Sequence, residues 1–214
     1  MRKYGAEVLG TILLTLPGTG AIIATSLTGQ PGGIGIVLAF GLGLLVSVYA
    51  FGPISGSAVN PAITIGLAML GMIPWRDVVP YIISQLIGAT ITAVVLLLFF
   101  GNVAHLGATV PAPHISVTMA LGAEILGTFI LMTGVSALSH PKFPAAASGL
   151  SVGLSLVAAA FFTGSISGGS FNPARSFGPA LVSGTWTDFW IYLVGPVVGA
   201  VLAAGLYRTV RGTR

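Results

Sequence analysis

Apolar residues run along this chain in long blocks separated by short polar breaks. Six blocks, Val8 to Leu27, Gly33 to Phe51, Val78 to Phe100, Val117 to Leu138, Ala145 to Thr163 and Phe189 to Tyr207, stand out. Each holds roughly the 17 to 25 residues that a helix needs to cross a hydrocarbon core of about 30 Å. The first two are rich in Gly and Thr, which membrane helices tolerate because small residues let helices pack closely. Two further apolar stretches, Ala62 to Leu70 and Ala174 to Val182, are about half a span long and do not fit a loop. Non-helical backbone at membrane depth is tolerated only where it is buried in protein or lines a water-filled cavity. The pattern therefore predicts six membrane-crossing helices and two half-helices that dip in from opposite faces and meet in the middle.

Composition agrees with that reading. Of the 214 residues, 55% are hydrophobic and only 6% charged, against about 25% charged in soluble domains. The chain cannot cover itself with a polar surface, so its solvent is lipid. No stretch reads as a soluble domain or a long linker, and residues 1–214 form one membrane domain. Six spans put both termini on one side. With Arg2 and Lys3 placed in the cytoplasm, Arg76, Lys142, Arg208, Arg211 and Arg214 fall there too, which makes seven of the eight basic residues. The predicted outer loops, Thr28 to Gly32 and Gly101 to Ser116, contain no Lys or Arg. The net charge of +4 thus reads as topology, with the termini cytoplasmic in a cell membrane, and basic residues scattered over short loops and tails do not make a nucleic-acid patch. Arg2 and Lys3 ahead of an apolar run imitate a signal peptide, but Glu7 interrupts the run and the segment recurs later in the chain. Trp75, Trp186, Trp190, Tyr4 and Tyr207 sit at predicted span ends, as an interfacial aromatic belt does. The absence of Cys excludes disulfides and thiolate chemistry. Pro17-Gly18 predicts a kink in the first span.

The chain also matches itself. Gly5-Ala6-Glu7-Val8-Leu9-Gly10-Thr11 parallels Gly122-Ala123-Glu124-Ile125-Leu126-Gly127-Thr128, and Ile54-Ser55-Gly56-Ser57-Ala58-Val59-Asn60-Pro61-Ala62 parallels Ile166-Ser167-Gly168-Gly169-Ser170-Phe171-Asn172-Pro173-Ala174. The matches imply a duplication, roughly residues 4 to 100 and 118 to 210. Each copy holds an odd number of spans, so the second enters the membrane inverted, and inverted repeats place their site near the bilayer midplane.

Each half-helix opens on Asn-Pro-Ala: Asn60, Pro61 and Ala62 in one copy, Asn172, Pro173 and Ala174 in the other. Asn is a strong N-cap, its side-chain oxygen taking an orphan backbone N–H. Pro suits the first helical position, where its missing N–H costs nothing. Ala keeps the tip narrow. Capping engages the Asn oxygen and leaves the amide N–H₂ to face a passing oxygen, while each helix start carries about half a positive charge aimed at the same midplane point. A single Asn-Pro pair is merely a helix start; two at equivalent positions of an inverted repeat predict a pore that passes neutral dipoles and repels cations.

At these residues the chain resembles the aquaporin and glycerol-facilitator family over nearly its whole length. The resemblance implies an all-α membrane protein with six transmembrane helices and two re-entrant half-helices in an inverted repeat, assembled as a homotetramer in the lipid bilayer with one pore per chain. It implies that Glu7 and Glu124, at matching places in the first and fourth spans, hold the backbone of the re-entrant loops. It maps a selectivity filter onto Phe40, Ala160, Gly169 and Arg175. A lone Arg within the membrane costs at least about 2.5 to 3.5 kcal/mol and marks a site lined by water or partners. Water-only members place a His where this chain has Ala160, which predicts a wider, less polar filter passing glycerol, urea, ammonia or undissociated metalloid acids with water. Glycerol facilitators place Asp after the filter Arg, where this chain has Ser176, with Ala180 further on as in water channels. Tyr192-Leu193 is closer to plant nodulin-like and archaeal members. A strictly water-selective channel is the alternative within the family.

Two other classes fit less well. An ion-coupled transporter needs titratable groups along its path, and the only embedded acidic residues, Glu7 and Glu124, are taken by the loops. An enzyme needs paired carboxylates or an activated nucleophile, whereas His105, His114 and His140 are lone loop residues. No catalytic residue, metal ligand or cofactor is expected.

Overall fold

Each long apolar block folds as one helix. The computed structural model describes residues 1–211, so Arg214 and its place in the charge pattern lie outside the described residues. The helices are α1 (Arg2–Thr28), α2 (Gly32–Ser55), α3 (Pro61–Met69), α4 (Trp75–Phe100), α5 (Val117–Ala137), α6 (Ser148–Ser167), α7 (Pro173–Ser183) and α8 (Ile191–Arg211). The six long ones are apolar enough to span a bilayer; α3 and α7 are half-helices. No strand occurs among the described residues.

Helix α1 starts at Arg2, a turn and a half earlier than its apolar block, because charged residues extend a membrane helix into water. It runs through Pro17 uninterrupted. Pro17 lacks the N–H that would meet the Leu13 carbonyl, and α2 closes over that carbonyl instead: a Cβ built on Gly43 would lie 2.5 Å from Leu13 O. The ends of α1, α2 and α6 stop at left-handed Gly29, Gly56 and Gly168, each donating its N–H to the last turn.

Small and hydroxylated residues knit the bundle. Thr11, Thr15 and Thr19 return their hydroxyls to carbonyls one turn back in α1, and the Thr15 and Thr92 hydroxyls bond at 2.8 Å between α1 and α4. Hydrocarbon offers helices no hydrophobic drive to associate, so close backbone approach has to supply it. Added Cβ atoms would stand 2.5 Å from Val8 O at Gly88 and 2.3 Å from Ile125 O at Gly199, at the α1–α4 and α5–α8 crossings. Only glycine permits such crossings.

The half-helices interlock the chain: α3 lies chiefly on α8, and α7 chiefly on α4. One face carries both ends of the described chain. There Lys3 Nζ pairs with Asp77 at 2.6 Å, Tyr4 donates to the same carboxylate, Arg208 reaches Met69 O at the end of α3, and Arg211 donates to Ser139. The end of α7 lies at the opposite face, where Thr185 meets His105. The two half-helices therefore point their C-termini to opposite faces and their starts toward each other.

Candidate functional site

The site grows from the two segments that lead into the half-helices. Residues 56–59 and 168–171 carry runs of left-handed backbone: φ is 86° at Gly56, 48° at Ser57 and 45° at Val59, then 83° at Gly168, 59° at Gly169 and 53° at Phe171. Such angles are costly for a β-branched residue such as Val59. They are held by buried carboxylates. Glu7, fully buried, accepts from Ser55 Oγ (2.6 Å), Ala58 N (3.1 Å), Val59 N (2.8 Å) and Gln85 Nε2 (2.7 Å). Glu124, also fully buried, accepts from Ser167 Oγ (2.6 Å), Ser170 N (2.9 Å) and Phe171 N (2.7 Å). A helix-end charge facing headgroups would be exposed; these are not. Tyr81 and Tyr192 add hydroxyl bonds to Ser55 O and Ser167 O.

Each segment then enters its half-helix through an Asn cap. Asn60 Oδ1 accepts from Ala62 N and Ile63 N, and Asn172 Oδ1 accepts from Ala174 N and Arg175 N, with Pro61 and Pro173 at the first helical positions. The amides differ from the sequence expectation in one respect. Asn60 Nδ2 donates to Phe171 O at 2.7 Å and Asn172 Nδ2 donates to Val59 O at 2.8 Å. One N–H of each amide is thus spent on tying the two tips together, and the second remains for a guest. The reason is proximity: meeting tips bring the carbonyl before each Asn within reach of the other.

Both Asn side chains line one cavity of about 260 Å³. It runs from Pro53, Ile54 and Leu138 on the terminal face, past Asn60 and Asn172, to Phe40, Ala160, Gly169 and Arg175. Aliphatic side chains of α2, α3, α5 and α6 wall it, including Leu44, Val48, Leu67, Leu131 and Leu156. Against them stand Gly56, Ser57, Ala58 and Gly169, whose carbonyls accept no hydrogen bond among the described residues. A second cavity of about 370 Å³ lies between the opposite-face halves of α2 and α6 and shares Phe40, Ala160 and Gly169 with the first. The two cavities abut at those residues.

Arg175 stands at the junction, 2% exposed. Its Nη1 donates to Gly107 O at 2.6 Å, and its guanidinium carbon lies 4.7 Å from the centroid of the Phe40 ring, within cation–π range. Ala160 and Gly169, which line the same cavity, offer a methyl group and a hydrogen. No group of His, Cys, Asp and Glu among the described residues is arranged to hold a metal.

Several residues that matter here escape sequence reasoning. Gln85 bridges Glu7 to Thr64 with its amide nitrogen while its Oε1 has no partner. Ser170, Ser176 and Thr109 form a buried hydroxyl chain. Ser55 and Ser167 stand in the repeated segments and Tyr81 and Tyr192 at similar offsets beyond them, so the internal match could have found these four; Gln85 and Thr109 have no counterpart to betray them.

Six apolar spans, paired half-helices and a cavity threading their capped starts define a membrane channel for small molecules. The model of the major intrinsic protein family matches residues 1–207, and the chain belongs to that family. It is 41% identical over 216 residues to aquaporin NIP1-1 of Zea mays, covering 100% of this chain and 76% of that one. It is 40% identical over 232 residues to aquaporin AqpM of Methanothermobacter marburgensis, covering 95% and 94% of the two chains. Among solved structures, the aquaglyceroporin from Plasmodium falciparum superposes with a TM-score of 0.88 at 26% identity, covering 96% of this chain and 94% of that one.

Proposed function

We propose that this channel of the major intrinsic protein family passes water together with small neutral solutes such as glycerol, urea, ammonia or undissociated metalloid acids, and excludes ions and protons. The carrying observation is a single cavity lined by Asn60 and Asn172 that ends on Phe40, Arg175, Ala160 and Gly169. Water or a hydroxyl accepts from the remaining N–H of each Asn and donates to the unpaired carbonyls of residues 56–58 and 169. The aliphatic wall offers no competing bonds, so a guest moves from one polar partner to the next. Two half-helix starts, each worth about half a positive charge, and the Arg175 guanidinium raise the energy of any cation there, the device by which aquaporin-type pores are understood to exclude protons and cations.

Ala160 and Gly169 set the width. A methyl group and a hydrogen line the cavity with Arg175, so the filter has room for a solute larger than water, and the Phe40 ring gives the carbon side of a polyol an apolar wall. Glu7 and Glu124 hold the left-handed segments against their backbone cost. The matching bonds at Glu7 and Glu124, at Tyr81 and Tyr192, and at the two Asn caps support reading the chain as an inverted repeat. The basic residues grouped on the face that carries the ends of the described chain support a cytoplasmic placement of that face in a cell membrane, and membership of the major intrinsic protein family supports a homotetramer.

Purified protein in liposomes, followed by stopped-flow light scattering under osmotic and isotonic solute gradients, tests the proposal. Water flux with measurable flux of at least one of these solutes is expected. Water flux alone would refute the wide filter, and flux that follows a proton or sodium gradient would refute the passive channel.

A further inference from the structure

Arg175 owes its position to a stretch of chain outside the repeats. Between α4 and α5, Val103–Gly107 makes a left-handed turn: φ is 49°, 50° and 56° at Ala104, His105 and Leu106, and 74° at Gly107. Three consecutive L-residues in this conformation are disfavoured by the contact between Cβ and the following carbonyl. Such a turn persists only where its surroundings over-determine it. One anchor is Leu106, fully buried among Ile23, Ala93 and Leu96. The other follows directly: Thr109 Oγ1 bonds Ser176 Oγ at 2.7 Å, and Ser176 Oγ bonds Ser170 Oγ at 2.5 Å. Between the two anchors sits Gly107, whose carbonyl takes the Arg175 guanidinium. Consecutive residues of α7, Arg175 and Ser176, thereby grip Gly107 at the end of the turn and Thr109 two residues beyond it.

We propose that Thr109 and Ser176 are positioning residues that hold Gly107 O in place, fix the Arg175 guanidinium against Phe40, and so set how the filter discriminates between solutes. Neither residue lines either cavity, so neither touches a guest. Thr109 is 5% exposed and Ser176 fully buried, and in a dry site the bond between them ties the chain after the turn to α7 through Ser176, which Ser170 holds from its other side. When the bond is removed, the left-handed turn loses its second anchor, relaxes toward ordinary backbone and withdraws the Gly107 carbonyl. The guanidinium then has no fixed partner and turns into the open space of the aperture beside Ala160 and Gly169. A mobile guanidinium there obstructs a polyol or urea more than it obstructs water.

The inference rests on Arg175 standing in the conduction path, and two readouts separate it from the wide-filter reading. The first is the ratio of solute to water permeability in the same vesicles, which does not depend on how much channel is folded. The second is the rate at which phenylglyoxal labels Arg175, read by peptide mass spectrometry, which does not depend on any flux. For Thr109→Val and Ser176→Ala we expect the ratio to fall and labelling to accelerate, each about threefold or more, the factor one buried hydrogen bond supports. Thr109→Ser, which keeps the hydroxyl, stays near wild type. Gly107→Ala gives a second route: its Cβ would lie 3.1 Å from Thr19 Cβ at a φ of 74°, shifting the carbonyl without touching a hydroxyl, and it should move both readouts in the same direction. Unchanged labelling in all three variants overturns the inference. Faster labelling with an unchanged ratio overturns its specificity half. A wild-type channel that passes only water sinks the wide filter alone, because the labelling comparison still stands.

Discussion

Replacing Glu124 by Gln tests how the re-entrant segments are held, and the bond pattern sets its size. Both carboxylate oxygens of Glu124 accept backbone N–H groups, Ser170 on Oε1 and Phe171 on Oε2. A Gln amide has one oxygen, so whichever way it turns, one of these donors loses its acceptor and faces an N–H₂. Removing one partner so that a buried donor is left unpaired costs about 1–3 kcal/mol, with the upper end applying where the lost partner was charged. Glu124→Gln should therefore destabilise the fold by about 3 kcal/mol. Glu7→Gln creates the same conflict at Val59 or Ala58 but has a remedy. Gln85 Oε1 has no partner, so rotation of the Gln85 amide lets that oxygen accept from the new amide in place of a clash between two N–H₂ groups, at the cost of the Nε2 bond to Thr64, for a net recovery below about 1 kcal/mol. Thermal unfolding of the purified protein in detergent should place Glu124→Gln on the order of 10 °C below wild type, with Glu7→Gln between the two. A Glu124→Gln shift of less than about 1 kcal/mol, or a variant more stable than Glu7→Gln, would refute this account.

The remaining predictions address the pore and the packing. Arg175→Ala should admit protons, seen as acidification of a pH-sensitive dye inside vesicles under an imposed proton gradient; a leak no larger than in empty vesicles would remove Arg175 from proton exclusion. Ala160→His narrows the filter and adds a donor, so solute flux should fall about tenfold, the effect of about 1.4 kcal/mol on a barrier, with water flux retained; equal losses of both would contradict the proposed width. Gly199→Ala puts a Cβ 2.3 Å from Ile125 O and should lower stability by about 1–3 kcal/mol through overpacking of α5 against α8, measured by the same thermal unfolding. Mercurials should leave water flux unchanged because the chain has no Cys, and an Ala160→Cys channel should become sensitive.

What the sequence alone determines is what depends on local chemistry. Block length and apolarity specify six spanning helices, since hydrocarbon forces every backbone group into an internal bond. The doubled Asn-Pro-Ala specifies where two half-helices start, because capping is settled within a few residues of chain. What only the tertiary structure decides is everything that depends on which atoms meet. The sequence leaves the Asn amides free, whereas the fold spends one N–H of each on the opposite tip. The sequence marks Arg175, but its partner Gly107 lies 68 residues away in a loop that no periodicity singles out. Thr109, Ser176 and Gln85 are ordinary polar residues until burial denies them water and makes each depend on a distant partner. Local rules write the elements; close approach between distant segments, in a medium that supplies no hydrogen bonds, decides what those elements do.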